Sequence, residues 1–264
     1  MATSLDWSVI RQTLLETSHR TKLYNVSYWD KEVNSVNKNM AKLSGLTEYQ
    51  VKTLPISPEV NVLDVGAGTG RLTLPIAKQV RHVTALEPSK NMLSVLQENA
   101  RQQQIFNINY LNESLENVNT AAQYDLVVAS FSLFMSDLEN SLLKMDKLAS
   151  MGVYLFMSAS PWIDEGIQTA VYGTSNQWSD FILTYNILHD VGIIANVETC
   201  TYTFEECYPT LTDAAEAFIQ KYSLPTEKRS PLIEYLRANL ACEYGGYYYK
   251  RKMKAATIWW TKDK

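Results

Sequence analysis

A doubly wound α/β fold built on a mostly parallel sheet follows from three features of this sequence. Apolar runs without polar alternation, such as Val60, Val62, Leu63 and Val65, read as strands buried on both faces. From residue 60 to residue 158 such runs alternate with helix-like segments, and regular βα alternation produces parallel sheets. A glycine turn, Gly66-Ala67-Gly68-Thr69-Gly70, joins the first strand directly to the first helix-like run.

Residues 1–58 read as a helical preface. Ser4 can cap a helix whose apolar positions Trp7, Ile10 and Leu14 recur at helical spacing. Pro55 and Pro58 end the preface, because the residue before a proline avoids helix. Strands are then expected over 60–65, 82–87, 108–111, 124–130 and 153–158, with helices over 71–80, 89–103 and 138–150. Ser136 and Glu139 have the spacing of a capping box at the start of the last helix. Past Pro161 the pattern loosens. A helix over 180–190 stopped by Gly192, a sixth strand over 196–204 and a helix from Thr210 to about Tyr222 are expected. A further helix over 231–240 precedes a hairpin turn at Gly245-Gly246 and an aromatic tail ending Ile258-Trp259-Trp260. With no linker or repeat, the chain reads as one domain overall: the preface over 1–58, then a core over 59–264 with helical insertions after residue 161.

Composition narrows the functional classes. The chain has 264 residues, 46% of them hydrophobic, which suits one globular unit with a sizeable core. The formal net charge is −4 with no Lys/Arg block, so nucleic acid is not the expected partner. The RKMK stretch at 251–254 reads as a solvated strand entry. No apolar run reaches the roughly 18 residues of a membrane helix, and Asp6, Arg11 and Glu16 argue against a signal peptide. Cys200, Cys207 and Cys242 lack C-x-x-C spacing, and an odd number argues against a disulfide framework. A cytoplasmic protein without a metal site is expected.

The glycine turn carries the site. Alternate glycines let the backbone turn sharply and approach a ligand closely, and the following helix start offers N–H groups. The spacing G-x-G-x-G departs from the dinucleotide fingerprint G-x-G-x-x-G. Asp64, at the strand end beside the loop, would repel a pyrophosphate and pair with an ammonium, which favours a cationic, amino-acid-like ligand. Glu87 ends the second strand 21 residues past Gly66, where an acid accepts ribose hydroxyls.

On these residues the chain resembles the class I S-adenosylmethionine-dependent methyltransferases, in their small-molecule, UbiE-like branch. LDVGAGTGRLTLPIA resembles the family's first motif and VTALEPSKNML its second; INYLNESLENV and YDLVVASFSLF are weaker counterparts of the third and fourth. The resemblance covers about 60–161. It implies a Rossmann-like, seven-stranded sheet whose last strand runs antiparallel beside strand six. It implies S-adenosyl-L-methionine as cofactor and S-adenosyl-L-homocysteine as product. Asp64 and the loop Gly66, Ala67, Gly68 and Gly70 would hold the methionine half. Glu87, followed by Pro88, would accept the ribose hydroxyls, and Met92 would pack on adenine. Glu113, with Ser114 beside it, matches the acid that receives the adenine amino group, and Leu115 would flank the ring. Ser130 and Phe131 fall where the fourth motif meets the transferring methyl. NVSYWDKEVN resembles an entry segment that lies over the cofactor as a lid, with Tyr28 foremost; packing of Tyr28 and Trp29 onto the core explains the segment as well.

Methyl transfer from a sulfonium requires mainly alignment in a dry pocket. No catalytic base is named. His19 lies in the preface, His82 at the wrong strand end, and His189 is a helix-end residue with Tyr28, Tyr172 and Tyr185 as other possibilities. Trp162, Trp178, Tyr185 and His189 are candidate acceptor-pocket residues, although core packing explains the tryptophans equally. Ala129-Ser130-Phe131-Ser132 lacks the Asn/Asp-Pro-Pro-Tyr pattern, which disfavours base or amide methylation. The expected partner is a small-molecule methyl acceptor, with no membrane partner and a homodimer left open. A protein methyltransferase, a non-catalytic binder of the cofactor and a nicotinamide-dependent oxidoreductase are the alternatives.

Overall fold

The computed structural model describes residues 5–17, 21–118, 121, 123–175, 179–243 and 245–262. Ser4, His19 and Trp178 lie outside the described residues. Three helices come first: α1 (Trp7–Thr17), α2 (Val26–Lys42) and α3 (Ser44–Thr53). Asp6 accepts a hydrogen bond from the Val9 N–H at the start of α1, and Asn25 caps α2 through the Ser27 N–H.

The alternating segment follows as β1 (Asn61–Val65), α4 (Thr73–Ala77), β2 (His82–Leu86), α5 (Lys90–Gln102), β3 (Ile108–Leu111), β4 (Tyr124–Ser130), α6 (Leu138–Leu148) and β5 (Ala149–Ser158). After it come α7 (Glu165–Tyr172), α8 (Asp180–Asp190), β6 (Asn196–Tyr208), α9 (Leu211–Tyr222), α10 (Arg229–Asn239), β7 (Ala241–Glu243) and β8 (Gly246–Thr261). The sheet order is β3-β2-β1-β4-β5-β8-β6, with β7 paired to β8 off this path. β1 runs parallel to β2 and β4, β2 to β3, and β4 to β5. β8 runs antiparallel to β5: the Ala159 N–H donates to the Lys254 carbonyl and the Lys262 N–H to that of Met151. The doubly wound sheet with an antiparallel last strand is as expected. Its eighth strand is β7, the first arm of the hairpin at Gly245, three residues too short to carry a periodic signal.

Several local expectations are corrected. The helix after the glycine loop is only five residues, and 78–80 turn instead of continuing it. The cap of α6 is Asp137, which accepts from the Asn140 N–H; Ser136 lies one residue too early. β6 runs to Tyr208 and β5 starts at Ala149. α7 was not expected from the sequence: its eight residues span two turns. It is set by Asp164, which accepts from the Gly166 and Ile167 N–H groups, and by Gly173 at φ +76°.

The described chain divides into two compact units. One comprises Met1–Met157, Asp180–Thr199 and Ala256–Lys264, the other Ser158–Ser179 and Cys200–Ala255. In the first, successive strand residues point to opposite faces of the sheet. Val62, Val128 and Phe156 pack with Ile76 and Leu96 on one face. Leu63, Val127 and Leu155 pack with Leu142, Met145, Ile187 and Leu188 on the other. The second unit has its own core of Ile167, Val171, Phe218, Leu232, Leu236 and Tyr249. No described helix is long and apolar enough to cross a membrane.

Candidate active site

The carboxyl ends of β1, β2 and β4 open into a cleft in the first unit, of about 380 Å³. Its floor is the glycine loop. The loop is tied to the sheet because the Gly66 and Ala67 N–H groups both donate to the Leu86 carbonyl, at 2.8 and 3.1 Å. Gly66 has φ +71°, and a Cβ there would lie 2.3 Å from the Ser132 Cβ, so only glycine fits beneath the strand-four loop. Gly68 has φ +56° for a different reason. A Cβ there would meet only the Met92 sulfur at 3.9 Å and would project into the space a ligand needs.

Glu87 stands beside this loop, 5% exposed. Its Oε2 accepts from the Gly68 N–H and its Oε1 from the Ser89 N–H, both at 2.8 Å. Each oxygen keeps acceptor capacity for a ligand hydroxyl. Burial raises the Glu87 pKa, the two backbone donors oppose that rise, and Asp64 and Asp30 add to it. Asp64 is 2% exposed and is not among the residues that line the cleft. It accepts from the Thr73 hydroxyl at 2.6 Å. Burial pushes it up to about 6, against the Thr73 bond and the Arg71 charge, which lower it.

Of the residues singled out by sequence, Gly66, Ala67, Gly68, Glu87, Pro88, Met92, Glu113, Ser114, Leu115 and Ser130 line the cleft together. Asp64, Gly70 and Tyr28 do not. Tyr28 packs edge-on against Trp29 at 5.1 Å, and Trp29 is the residue that reaches the wall. Trp29 stacks on Phe134 at 5.4 Å, and its indole N–H donates to the Leu23 carbonyl at 2.8 Å. The other suggested residues lie elsewhere. Tyr185 packs on the sheet core, His189 is exposed beside Asp190, and Trp162 meets Tyr222 edge-on within the second unit.

Arg71 lines the cleft and carried no signal at the level of sequence, whereas Asp30, which does not line it, stood only within the Tyr28-Trp29-Asp30 lid segment. Arg71 donates to the Ser130 hydroxyl at 2.5 Å and to Thr47 at 2.7 Å, with its guanidinium 5.5 Å from the Phe131 ring. Asp30 accepts from the Ser89 hydroxyl at 2.6 Å, while that hydroxyl accepts from the Met92 N–H. α2 is thereby joined to the start of α5, and the Asn99 amide secures it again by donating to Asn37 and to the Thr69 carbonyl.

Residues 62–150 match the methyltransferase domain family. The YcgJ protein of Bacillus subtilis superposes with a TM-score of 0.57 at 15% identity, covering 83% of this chain and 98% of that one, so the two share a fold. Over residues 62–150 this chain carries a methyltransferase domain. An uncharacterized protein of Haemophilus influenzae is 28% identical over 246 residues, 89% of each chain. A 23S rRNA (uracil(1939)-C(5))-methyltransferase of Vibrio cholerae is 37% identical over 89 residues, 34% of this chain and 20% of that enzyme. The residues of the methyltransferase's cleft fit S-adenosylmethionine: a side-chain-free cradle at Gly68, a buried acid with spare acceptor capacity at Glu87, and apolar contacts at Met92 and Leu115.

Proposed function

We propose that this methyltransferase acts on a small-molecule acceptor and accelerates transfer mainly by positioning. The observation that carries this reading is the wall facing the glycine loop. Leu23, Val26, Trp29, Met40, Phe134 and Met135 line it, and the stacked Trp29 and Phe134 rings suit a flat or apolar acceptor. In this reading Glu87 takes the ribose hydroxyls. Met92 and Leu115 flank the adenine and Glu113 receives its amino group. Asp64 supports the loop from behind and attracts the ligand's positive charge through it. Ser130 and Phe131 border the reacting centre. S-adenosylmethionine supplies an electrophilic methyl group when bound. The chain's part is to hold the acceptor in line with it and to exclude water with the N-terminal helices, which contributes on the order of 7 kcal/mol or more in favourable cases.

The test uses purified enzyme, S-adenosylmethionine labelled in the methyl group and three acceptor pools: cell metabolites, total RNA and total protein. The small-molecule reading expects label in the metabolite pool, reduced at least tenfold by Trp29→Ala. Label confined to RNA or protein would overturn it. The rRNA-directed relative matches only about a fifth of its own length here, and this chain's −4 charge gives a polyanion little electrostatic attraction.

A further inference from the structure

We propose that Arg11 is a positioning residue for methyl transfer: from α1 it holds the Leu133 carbonyl and so sets residues 133–135 as the acceptor's wall. The proposal rests on the reading of the Trp29 and Phe134 wall as the acceptor side of the cleft. It names a residue outside the cleft that fixes one half of that wall.

Arg11 and Leu15 are the buried residues of α1, and Arg11 is only 3% exposed. Its Nη2 donates to the Leu133 carbonyl at 2.8 Å, and its Nε has no hydrogen-bond partner among the described residues. Taking a guanidinium out of water is costly unless good acceptors replace the solvent, and a neutral carbonyl replaces little of it. An apolar side chain of similar length would fill the same space with no charge to desolvate. Packing therefore does not account for an arginine here, and the bond to Leu133 does.

That bond reaches the part of the loop after β4 that faces the acceptor. The first part is tied to the strands: the Phe131 N–H donates to the Phe156 carbonyl at 2.8 Å, and the Ser132 hydroxyl to the Val65 carbonyl at 2.6 Å. These bonds fix the residues beside the glycine loop without help from α1. Beyond them the Leu133 side chain is buried in the sheet core, while Phe134 and Met135 line the cleft. The carbonyl that Arg11 holds belongs to the peptide unit joining Leu133 to Phe134. That unit is planar, so its orientation sets where the Phe134 ring points. The ring stacks on Trp29 at 5.4 Å, with the planes 27° apart. Trp29 is placed by α2, whereas α1 packs against α8. The two rings of the wall are thus anchored from different elements. A displacement of about 1 Å can cost a positioned reaction on the order of a hundredfold in rate, which makes a second anchor consequential for in-line transfer.

Arg11→Met and Arg11→Lys are compared with wild type by S-adenosylmethionine titration, by urea unfolding, and by transfer of labelled methyl to the acceptor that wild type labels in the metabolite pool. The proposal expects Arg11→Met to bind the cofactor within about twofold of wild type and to unfold at no lower urea concentration. Its kcat/KM for the labelled acceptor should fall about tenfold or more, with kcat lowered as well as KM raised. Arg11→Lys recovers part of that loss, because its ammonium still donates. A lower urea midpoint, with cofactor affinity and turnover falling together, would make Arg11 structural and overturn the proposal. So would an unchanged kcat/KM. Label found only in RNA or protein would overturn the small-molecule reading alone, and the same comparison is then made on that acceptor. Hydrogen exchange supplies a readout that needs no acceptor. The Phe134 amide should exchange about fivefold faster or more in Arg11→Met, while residues 64–68 keep the wild-type rate. Equal protection of Phe134 would also overturn the proposal.

Discussion

Gly66 and Gly68 both have positive φ two residues apart, yet they serve different ends. The Gly66 hydrogen faces Ser132, whose hydroxyl donates to the Val65 carbonyl at 2.6 Å. Alanine there must bear left-handed strain and a 2.3 Å overlap with a tethered neighbour. Gly66→Ala is expected to cost about 2–4 kcal/mol in urea unfolding and to abolish cofactor binding. Gly68→Ala bears only the strain, about 1–2 kcal/mol, because its methyl enters open cleft, yet it should lose binding as fully. Equal stability losses would refute the division of roles. The glycines were legible from sequence because their spacing is a local signal. Their separate reasons were not, since Ser132 arrives from 66 residues away. Arg71 escaped notice for the same reason: its meaning comes from Thr47 and Ser130, which the fold brings to it.

At the scale of elements, α2 is a wall of the cleft because polar contacts at two places hold it to α5. Asp30 takes the Ser89 hydroxyl at one end and Asn37 meets Asn99 two turns later. Ser89 caps α5, and its own backbone N–H donates to Glu87. The position of α2 is thereby linked to the ribose acid. Asp30→Ala should leave the Ser89 cap intact, lower stability by about 1–2 kcal/mol, speed hydrogen exchange along 26–33 and weaken cofactor binding several-fold. Unchanged exchange and affinity would show that the contact is incidental. The sequence made β1 to β5 readable as apolar runs alternating with helix-like segments, and α9 through the start signal at Thr210, while the cap of α5 at Ser89 emerged only in the fold. It made Tyr28-Trp29-Asp30 visible as a lid candidate but gave the foremost place to Tyr28. A helix of 17 residues turns by about 100° per residue, so neighbours differ in facing, and the packing partner decides which of them meets the cleft.

At the scale of the whole molecule, stability sums the protonation differences between folded and unfolded chain. Burial lifts Asp64 from its ordinary 3.8 to about 6 and raises Glu87 as well. A carboxyl lifted in this way binds its proton more tightly when the chain is folded. Between pH 4 and 6 the folded state therefore holds more protons, and stability falls as pH rises through that window. For Asp64 the difference of about two pH units corresponds to about 3 kcal/mol, present below pH 4 and lost above pH 6. Glu48, Glu59, Glu98 and Asp137 shift downward and act in the opposite sense, but they lie at the surface, where solvent screens them. Asp64→Asn removes the titration while its amide oxygen still accepts from Thr73. Urea unfolding across pH 4–7.5 should show a flatter profile for the variant and, at pH 7.5, stability no lower than wild type. Parallel profiles would remove Asp64 as the source. Above pH 6 the Asp64 carboxylate stays buried because the fold imposes it, and a positively charged ligand relieves that cost. The thermal shift produced by S-adenosylmethionine should accordingly be larger at pH 7.5 than at pH 5, and the difference should vanish in the asparagine variant.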